Sequence, residues 1–161
     1  MNIHGKHYDS RDAVILYLAT GGKSGCFPVA PGTFGSLAAL LPCWILSLFS
    51  MSESVIFLLI FIILAVWTAE SAEKLLEQRD PACIVIDEFA GMMITMIGFP
   101  FMWKSALTGF LLFRILDIAK PFPIRHIENL SGGAGVVLDD MSAGIIAHLI
   151  LKWLFYIPWM T

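Results

Sequence analysis

The chain has 161 residues, 58% of them hydrophobic and only 14% charged, against roughly 45–50% and about 25% in ordinary soluble domains. Too few polar side chains remain to cover a water-exposed globule, so the composition points to burial in lipid, in an oligomer, or in both. A formal net charge of -3 leaves no basic footprint for nucleic acid, and Cys26, Cys43 and Cys83 have neither metal nor disulfide spacing.

The N-terminal stretch MNIHGKHYDSRDAVILYLAT holds no long apolar run and no small-residue cleavage pattern, so no signal peptide is expected. Gly21 to Ser36 is a Gly- and Pro-rich loop carrying Lys23, Thr33 and Ser36 and leading into a helix. Backbone N–H groups of such a loop can cradle an anion, although turn chemistry accounts for its glycines equally well. Its Gly-Lys-Ser is not a P-loop, because the preceding glycine is out of register.

From Gly32 to Ala69 the only charged residue is Glu53, a run longer than the ~20 residues that cross a bilayer. The polar turn at Ser50–Ser54 divides it into two antiparallel helices. One spans about Phe34 to Phe49, with Pro42 marking a kink or a late start. The other spans Val55 to about Thr68 and continues as the charged stretch Glu70–Asp80, where Glu70 and Lys74 form an i,i+4 pair. Asp80-Pro81 is expected to stop it.

A third apolar segment runs from Phe89 to Trp103, broken at Gly98-Phe99-Pro100, and a fourth from Ser105 to about Ile118. A Pro- and Gly-rich loop, Lys120 to Asp140, precedes a fifth segment, Met141 to Ile157, which contains His148 and Lys152. Several runs fall below the typical ~20 residues, so tilted or re-entrant helices are expected among them. If the N-terminus is cytoplasmic and all five segments cross, most Lys and Arg fall on the cytoplasmic side, leaving only Lys104 and Lys152 toward the other. Gly21–Ser36, Ile86–Glu88, Arg114–Arg125 and Leu138–Asp140 then share one membrane face.

Chemistry-bearing residues gather at that face. Asp87 and Glu88 enter a membrane segment, where adjacent carboxylates are costly without a cation; oxygen ligands suit Mg²⁺, Mn²⁺ or Ca²⁺. A charged helix start is the competing explanation. Arg114 and Asp117 share a helix face at i,i+3, and with Lys120 and Arg125 they can hold a phosphate oxyanion against a carboxylate-bound metal; a structural ion pair with positive-inside anchors is the alternative. Asp139 and Asp140 open the last helix, as a metal pair or with one as N-cap. His4 and His7 sit in a polar tail, His148 reads as a satisfied buried group, and His126 can shuttle a proton. No covalent-nucleophile pattern is found.

At these residues the chain closely resembles phosphatidylglycerophosphatase A. The matching stretches are GGKSGCFPVAPGTFGSLAA (21–39), IVIDEFAGM (84–92), GFLLFRILDIAKPFPIR (109–125) and GGAGVVLDDMSAGI (132–145), in family order. The resemblance implies a single domain over 1–161 that converts phosphatidylglycerophosphate to phosphatidylglycerol and inorganic phosphate. It also implies Mg²⁺ as cofactor, the bacterial inner membrane and a role in phospholipid synthesis; the charge asymmetry is what puts the expected site at the cytoplasmic face. The fold expected is all-α: an integral membrane helical bundle of about five to six main helices around a central helix. Asp87, Glu88, Asp117, Asp139 and Asp140 are then the expected catalytic and metal-binding residues, one of them serving as general base. Lys23, Thr33, Ser36, Arg114, Lys120 and Arg125 are the expected contacts to the lipid phosphate. The rival readings are a CDP-alcohol-type phosphotransferase, whose DG…AR…G…D…D pattern is missing, and a divalent-cation carrier, which predicts acids spread through the bilayer depth. Oligomeric state is left open.

Overall fold

The structure is a computed structural model and describes residues 2–3, 6–122 and 133–156; Arg125, His126 and the side chains of His4 and His7 lie outside the described residues. Apart from a two-residue antiparallel pair, β1 (Asn2–Ile3) with β2 (Lys6–His7), the elements are helical. They are α1 (Ser10–Ala19), a 3₁₀ turn (Ser24–Cys26), α2 (Pro31–Ala38), α3 (Leu40–Leu46), α4 (Met51–Leu76), α5 (Ile86–Met96), α6 (Trp103–Ala119) and α7 (Gly133–Leu154).

Several boundaries differ from those expected, each for a local reason. α1 was hidden in what reads as a polar tail; Asp9 caps it, its side chain accepting from the Ser10 N–H at 2.7 Å. The single segment Phe34–Phe49 is two helices that meet at Ala39, because Pro42 has no N–H to give the preceding turn and so sits in the first turn of α3. α4 starts at Met51 rather than Val55, because Ser50 and Glu53 form a reciprocal capping box. It ends at Leu76, ahead of Asp80-Pro81, where Glu77 turns into the left-handed region at φ 54°. α7 starts at Gly133, so Asp139 and Asp140 lie inside the helix and neither is its N-cap.

α5 is the central helix. It packs against α2, α3, α4, α6 and α7, and nine of its 11 residues are buried. Its closest crossing is with α7 and rests on two glycines. A Cβ on Gly144 would collide with the Gly91 carbonyl, and one on Gly91 would meet the Phe113 ring and the Asp140 carbonyl. Thr95 Oγ1 donates across this seam, to the Gly91 carbonyl at 2.9 Å and the Gly144 carbonyl at 3.4 Å. Small residues therefore bring the two backbones together, which fixes Asp140 of α7 beside the start of α5.

The membrane expectation is met in part. Among the described residues α4 is the one helix long and apolar enough to cross a membrane, with a mean hydropathy of 2.4 over its best stretch, of which only 28% is buried. α2 and α3 together, Pro31–Leu46, form a shorter apolar unit. α5 spans only about 16 Å at ~1.5 Å per residue, so five full crossings do not follow from the helices observed.

Candidate active site

Four chain segments converge at one end of the bundle. The backbone N–H of Val85, the residue before α5, donates to the Ala19 carbonyl at 2.9 Å, which ties the α5 N-terminus to α1. Asp87 and Glu88 then fall in the first turn of α5, where their charge complements the helix dipole. Arg114, Asp117 and Lys120 come from the last turns of α6 and its C-cap, and Asp139 and Asp140 from α7. Together with Ala30, Pro31, Gly32, Asp80, Ala82 and Ile84 they line a cavity of about 300 Å³.

The five acids separate into two sets. Asp87, Glu88 and Asp140 each place a carboxylate oxygen within 4.8 Å of the others, and among the described residues no ion pair reaches Asp87 or Asp140. Asp117 and Asp139 each have a cation of their own. Arg114 Nη1 donates to Asp117 Oδ2, and Lys120 Nζ donates to Asp139 Oδ2 at 2.6 Å. Arg114 Nη1 also lies 3.4 Å from Ser36 Oγ and 4.0 Å from Glu88 Oε1.

Electrostatics follow from this separation. Burial pushes the Asp87 carboxyl well above its ordinary range, and the neighbouring Glu88 adds to the effect. Burial, with Asp140 and Asp117, lifts Glu88 to about 8 against the pull of Asp87 and Arg114. Asp140 is raised by burial and then by Asp87, Asp117 and Asp139. Asp139 is raised by burial, with Lys120 working the other way. Three buried carboxyls whose ionisation opposes one another are relieved by a divalent cation, which favours their charged forms.

The donor set fits such an ion. It is all carboxylate oxygen, which suits Mg²⁺, Mn²⁺ or Ca²⁺ over softer metals. Glu88 Oε2 and Arg114 Nε are both buried and lack a hydrogen-bond partner among the described residues. A buried acceptor and a buried donor left open in one cavity are what a bound cation and a bound oxyanion would satisfy.

The Gly-rich loop enters differently from expectation. Ala30–Gly32 reach the cavity, while Lys23 and Thr33 do not line it. Lys23 is exposed, with φ 78°. Ser36 is buried; its hydroxyl donates to the Gly32 carbonyl at 2.8 Å and accepts from Arg114, so it braces the guanidinium. A Cβ on Gly32 would meet Glu88 Oε1 and lie 3.1 and 3.2 Å from the two terminal guanidinium nitrogens of Arg114. Cβ atoms on Gly25 and Gly35 would run into the Cys83 carbonyl and the Val85 side chain. These glycines permit close packing. Asp80, taken from sequence only as a helix stop, also lines the cavity and raises Asp87. Its place before the apolar run into Asp87 was the available signal.

The family model described as Phosphatidylglycerophosphatase A matches residues 17–155. The Phosphatidylglycerophosphatase A of Escherichia coli K12 is 40% identical over 140 residues, covering 85% of this chain and 81% of that protein. That of Haemophilus influenzae is 38% identical over 149 residues, covering 91% and 90%. A protein of Bacteroides thetaiotaomicron, named provisionally a phosphatidylinositol-3-phosphatase, is 33% identical over 146 residues, covering 84% and 90%. No solved structure matches the chain.

Proposed function

The chain belongs to the phosphatidylglycerophosphatase A family and is therefore a phosphatase, a phosphoric monoester hydrolase; on that premise we propose that it hydrolyses phosphatidylglycerophosphate to phosphatidylglycerol and inorganic phosphate. We place this reaction in phospholipid synthesis, with Mg²⁺ as cofactor, at the cytoplasmic face of a bacterial inner membrane. The observation that carries the proposal is the cavity in which three close carboxylates, Asp87, Glu88 and Asp140, face two cations already braced by Asp117 and Asp139.

Asp87, Glu88 and Asp140 would hold Mg²⁺, with Asp117 and Asp139 near it. When bound, the ion supplies polarisation of the phosphoryl group and lowers the cost of ionising a water. Arg114, held by Asp117 and Ser36, presents its open Nε–H to a phosphate oxygen, and Lys120 adds a point charge. Of the other contacts expected from sequence, Ser36 acts by bracing Arg114, Lys23 and Thr33 do not line the cavity, and Arg125, outside the described residues, is kept as a contact to the headgroup. Hydrolysis forms a P–O bond to water and breaks the P–O bond to the lipid glycerol, whose oxygen leaves with a proton. A carboxylate of the cluster takes the proton from the attacking water.

Exposed side chains support the membrane setting. Ile56, Leu59, Ile60, Ile63 and Leu64 of α4, Leu107, Leu111, Ile115 and Ile118 of α6, and Ile145, Leu149 and Trp153 of α7 all stand exposed. On α6 this belt runs from Trp103 to Ile118, roughly 22 Å at ~1.5 Å per residue, much of the ~30 Å hydrocarbon thickness of a bilayer. A lipid-immersed bundle with its acid cavity at one end would leave acyl chains in the bilayer while the headgroup enters.

The test is phosphate release from phosphatidylglycerophosphate, phosphatidic acid and phosphatidylinositol 3-phosphate, each with Mg²⁺ and with excess chelator. Fastest release from the first, only with Mg²⁺, is expected. Equal release under chelator would sink the Mg²⁺ assignment, and faster release from the inositol lipid would move the substrate.

A further inference from the structure

We propose that a second cavity, at the end of the bundle away from the acid cluster, binds the headgroup of an anionic phospholipid. It is the larger of the two, about 430 Å³, within the range of roughly 300–1,000 Å³ typical of small-molecule sites. Its walls come from the α3–α4 turn, the α5–α6 turn and α7, and include Phe49, Met51, Ile97 and Phe99. His148 lies about two turns along α7 from Asp140, roughly 12 Å at ~1.5 Å per residue, so the two cavities share no lining residue.

The polar groups select the sign of the occupant. Ser47 Oγ gives its proton to the Trp44 carbonyl at 2.7 Å, and Ser54 Oγ gives its proton to the Leu46 carbonyl at 3.0 Å. Both hydroxyl protons are spent inside the protein. The donors that remain on the lining side chains are His148 and Lys152. His148 is not the satisfied group its sequence setting suggests. Its ring stacks at a tilt on Phe99, with centroids 5.0 Å apart, and its Nδ1 is buried without a hydrogen-bond partner. Such a group costs free energy, and a turn of the ring would be needed to bring this nitrogen to an occupant of the cavity. Lys152 is exposed one turn further along, and the first turn of α4, the positive end of a long helix, forms part of the wall. No acid lines the cavity among the described residues. Glu53, in that same turn, folds back to accept from the Ser50 N–H and hydroxyl.

A cavity that offers a lysine ammonium and no acid among the described residues therefore takes an anion with acceptor oxygens, and phosphate is the common chemistry. Its rim makes the bearer an amphiphile. Leu48, Phe49, Met51, Trp103 and Trp153 stand exposed around this end, as interface-anchoring aromatics and lipid-facing apolar side chains do. A free phosphate ion would leave these apolar walls unused; a phospholipid would cover them with its chains.

Intact-complex mass spectrometry of the delipidated full chain, titrated with phosphatidylglycerol or phosphatidylcholine, tests this. Phosphatidylglycerol is expected to be retained more tightly, and Lys152→Ala to weaken it about tenfold, as loss of a charge-assisted hydrogen bond implies. Lys152→Arg should retain it, and His148→Gln should weaken it further in combination. Phosphate release by Lys152→Ala should match the parent. Lys152 is exposed, so its replacement leaves the fold intact and the test stands without the His148 variant. Unchanged retention in Lys152→Ala, or equal retention of the two lipids, overturns the proposal. Displacement of the lipid by inorganic phosphate at millimolar concentration overturns the lipid in favour of the free ion.

Discussion

Replacing Glu88 by Gln removes one negative charge from the acid trio and keeps the shape of the side chain. In the metal-free protein, burial chiefly, with Asp140 and Asp117, holds the Glu88 carboxyl at about 8 instead of its ordinary 4.5. A carboxyl raised in the folded state contributes stability that is fully present below 4.5 and is lost as pH rises through about 8. At about 1.4 kcal/mol per pKa unit, the whole loss is a few kcal/mol; the side chain is only 13% exposed, so water screens little of it. Asp87 and Asp140 are raised for the same reason and steepen the fall. Chelated wild type should therefore melt several degrees lower at alkaline than at mildly acidic pH. Glu88→Gln should fall less and be the more stable of the two at high pH, less whatever is lost with the 4.0 Å contact to Arg114. Mg²⁺ should reverse the order, stabilising wild type most where its carboxylates are ionised and the variant far less. Thermal unfolding in detergent, with chelator or Mg²⁺, reads this directly. A chelated wild type whose unfolding temperature is flat across that pH range, or a variant with the same slope, would refute Glu88 as a buried, cation-seeking carboxyl.

Gly32→Ala sets a methyl against Glu88 Oε1 and the Arg114 guanidinium. It should lower kcat/KM at least about tenfold through misplacement, with little change in unfolding temperature; parent-like kinetics would show that the loop gives way freely. Lys120→Met leaves Asp139, 5% exposed, without its 2.6 Å partner, and an uncompensated buried charge costs about 3–5 kcal/mol. The variant should be markedly unstable at high pH and recover as pH is lowered and Asp139 takes a proton; a pH-independent loss contradicts this. Gly144→Ala forces α7 off the Gly91 backbone, at a cost of about 1–3 kcal/mol. It should also raise the Mg²⁺ concentration for half-maximal activity, because Asp140 rides on that helix; an unchanged requirement would uncouple the seam from the site.

Sequence patterns carried the apolar runs and the acid pairs well, because lipid-facing or core-facing stretches and clustered charges both stand out in composition. Arg114 with Asp117 was legible because helical i,i+3 spacing alone puts them on one face. What stayed hidden depends on packing between distant segments. The break at Ala39 needs Pro42 to be read as a first-turn residue. Gly91 and Gly144 lie 53 positions apart, and neither signals a helix crossing alone. The division of the acids into a cation-free pair plus Glu88 and two braced partners depends on side-chain directions at the junction of three helices. Asp80 joins the cavity only because the chain after α4 folds back beneath α5, with its N–H held by Glu73 Oε1 at 2.6 Å.

The most direct measurement is phosphate release from phosphatidylglycerophosphate across a Mg²⁺ titration, comparing Asp140→Asn with the parent. Asp140 is the carboxylate that α7 brings to the two acids of α5. The account predicts a parent that is silent in chelator, and a variant slowed by about 10² or more, as expected when an essential ligand is lost. A variant that matches the parent in rate and in Mg²⁺ requirement would contradict it.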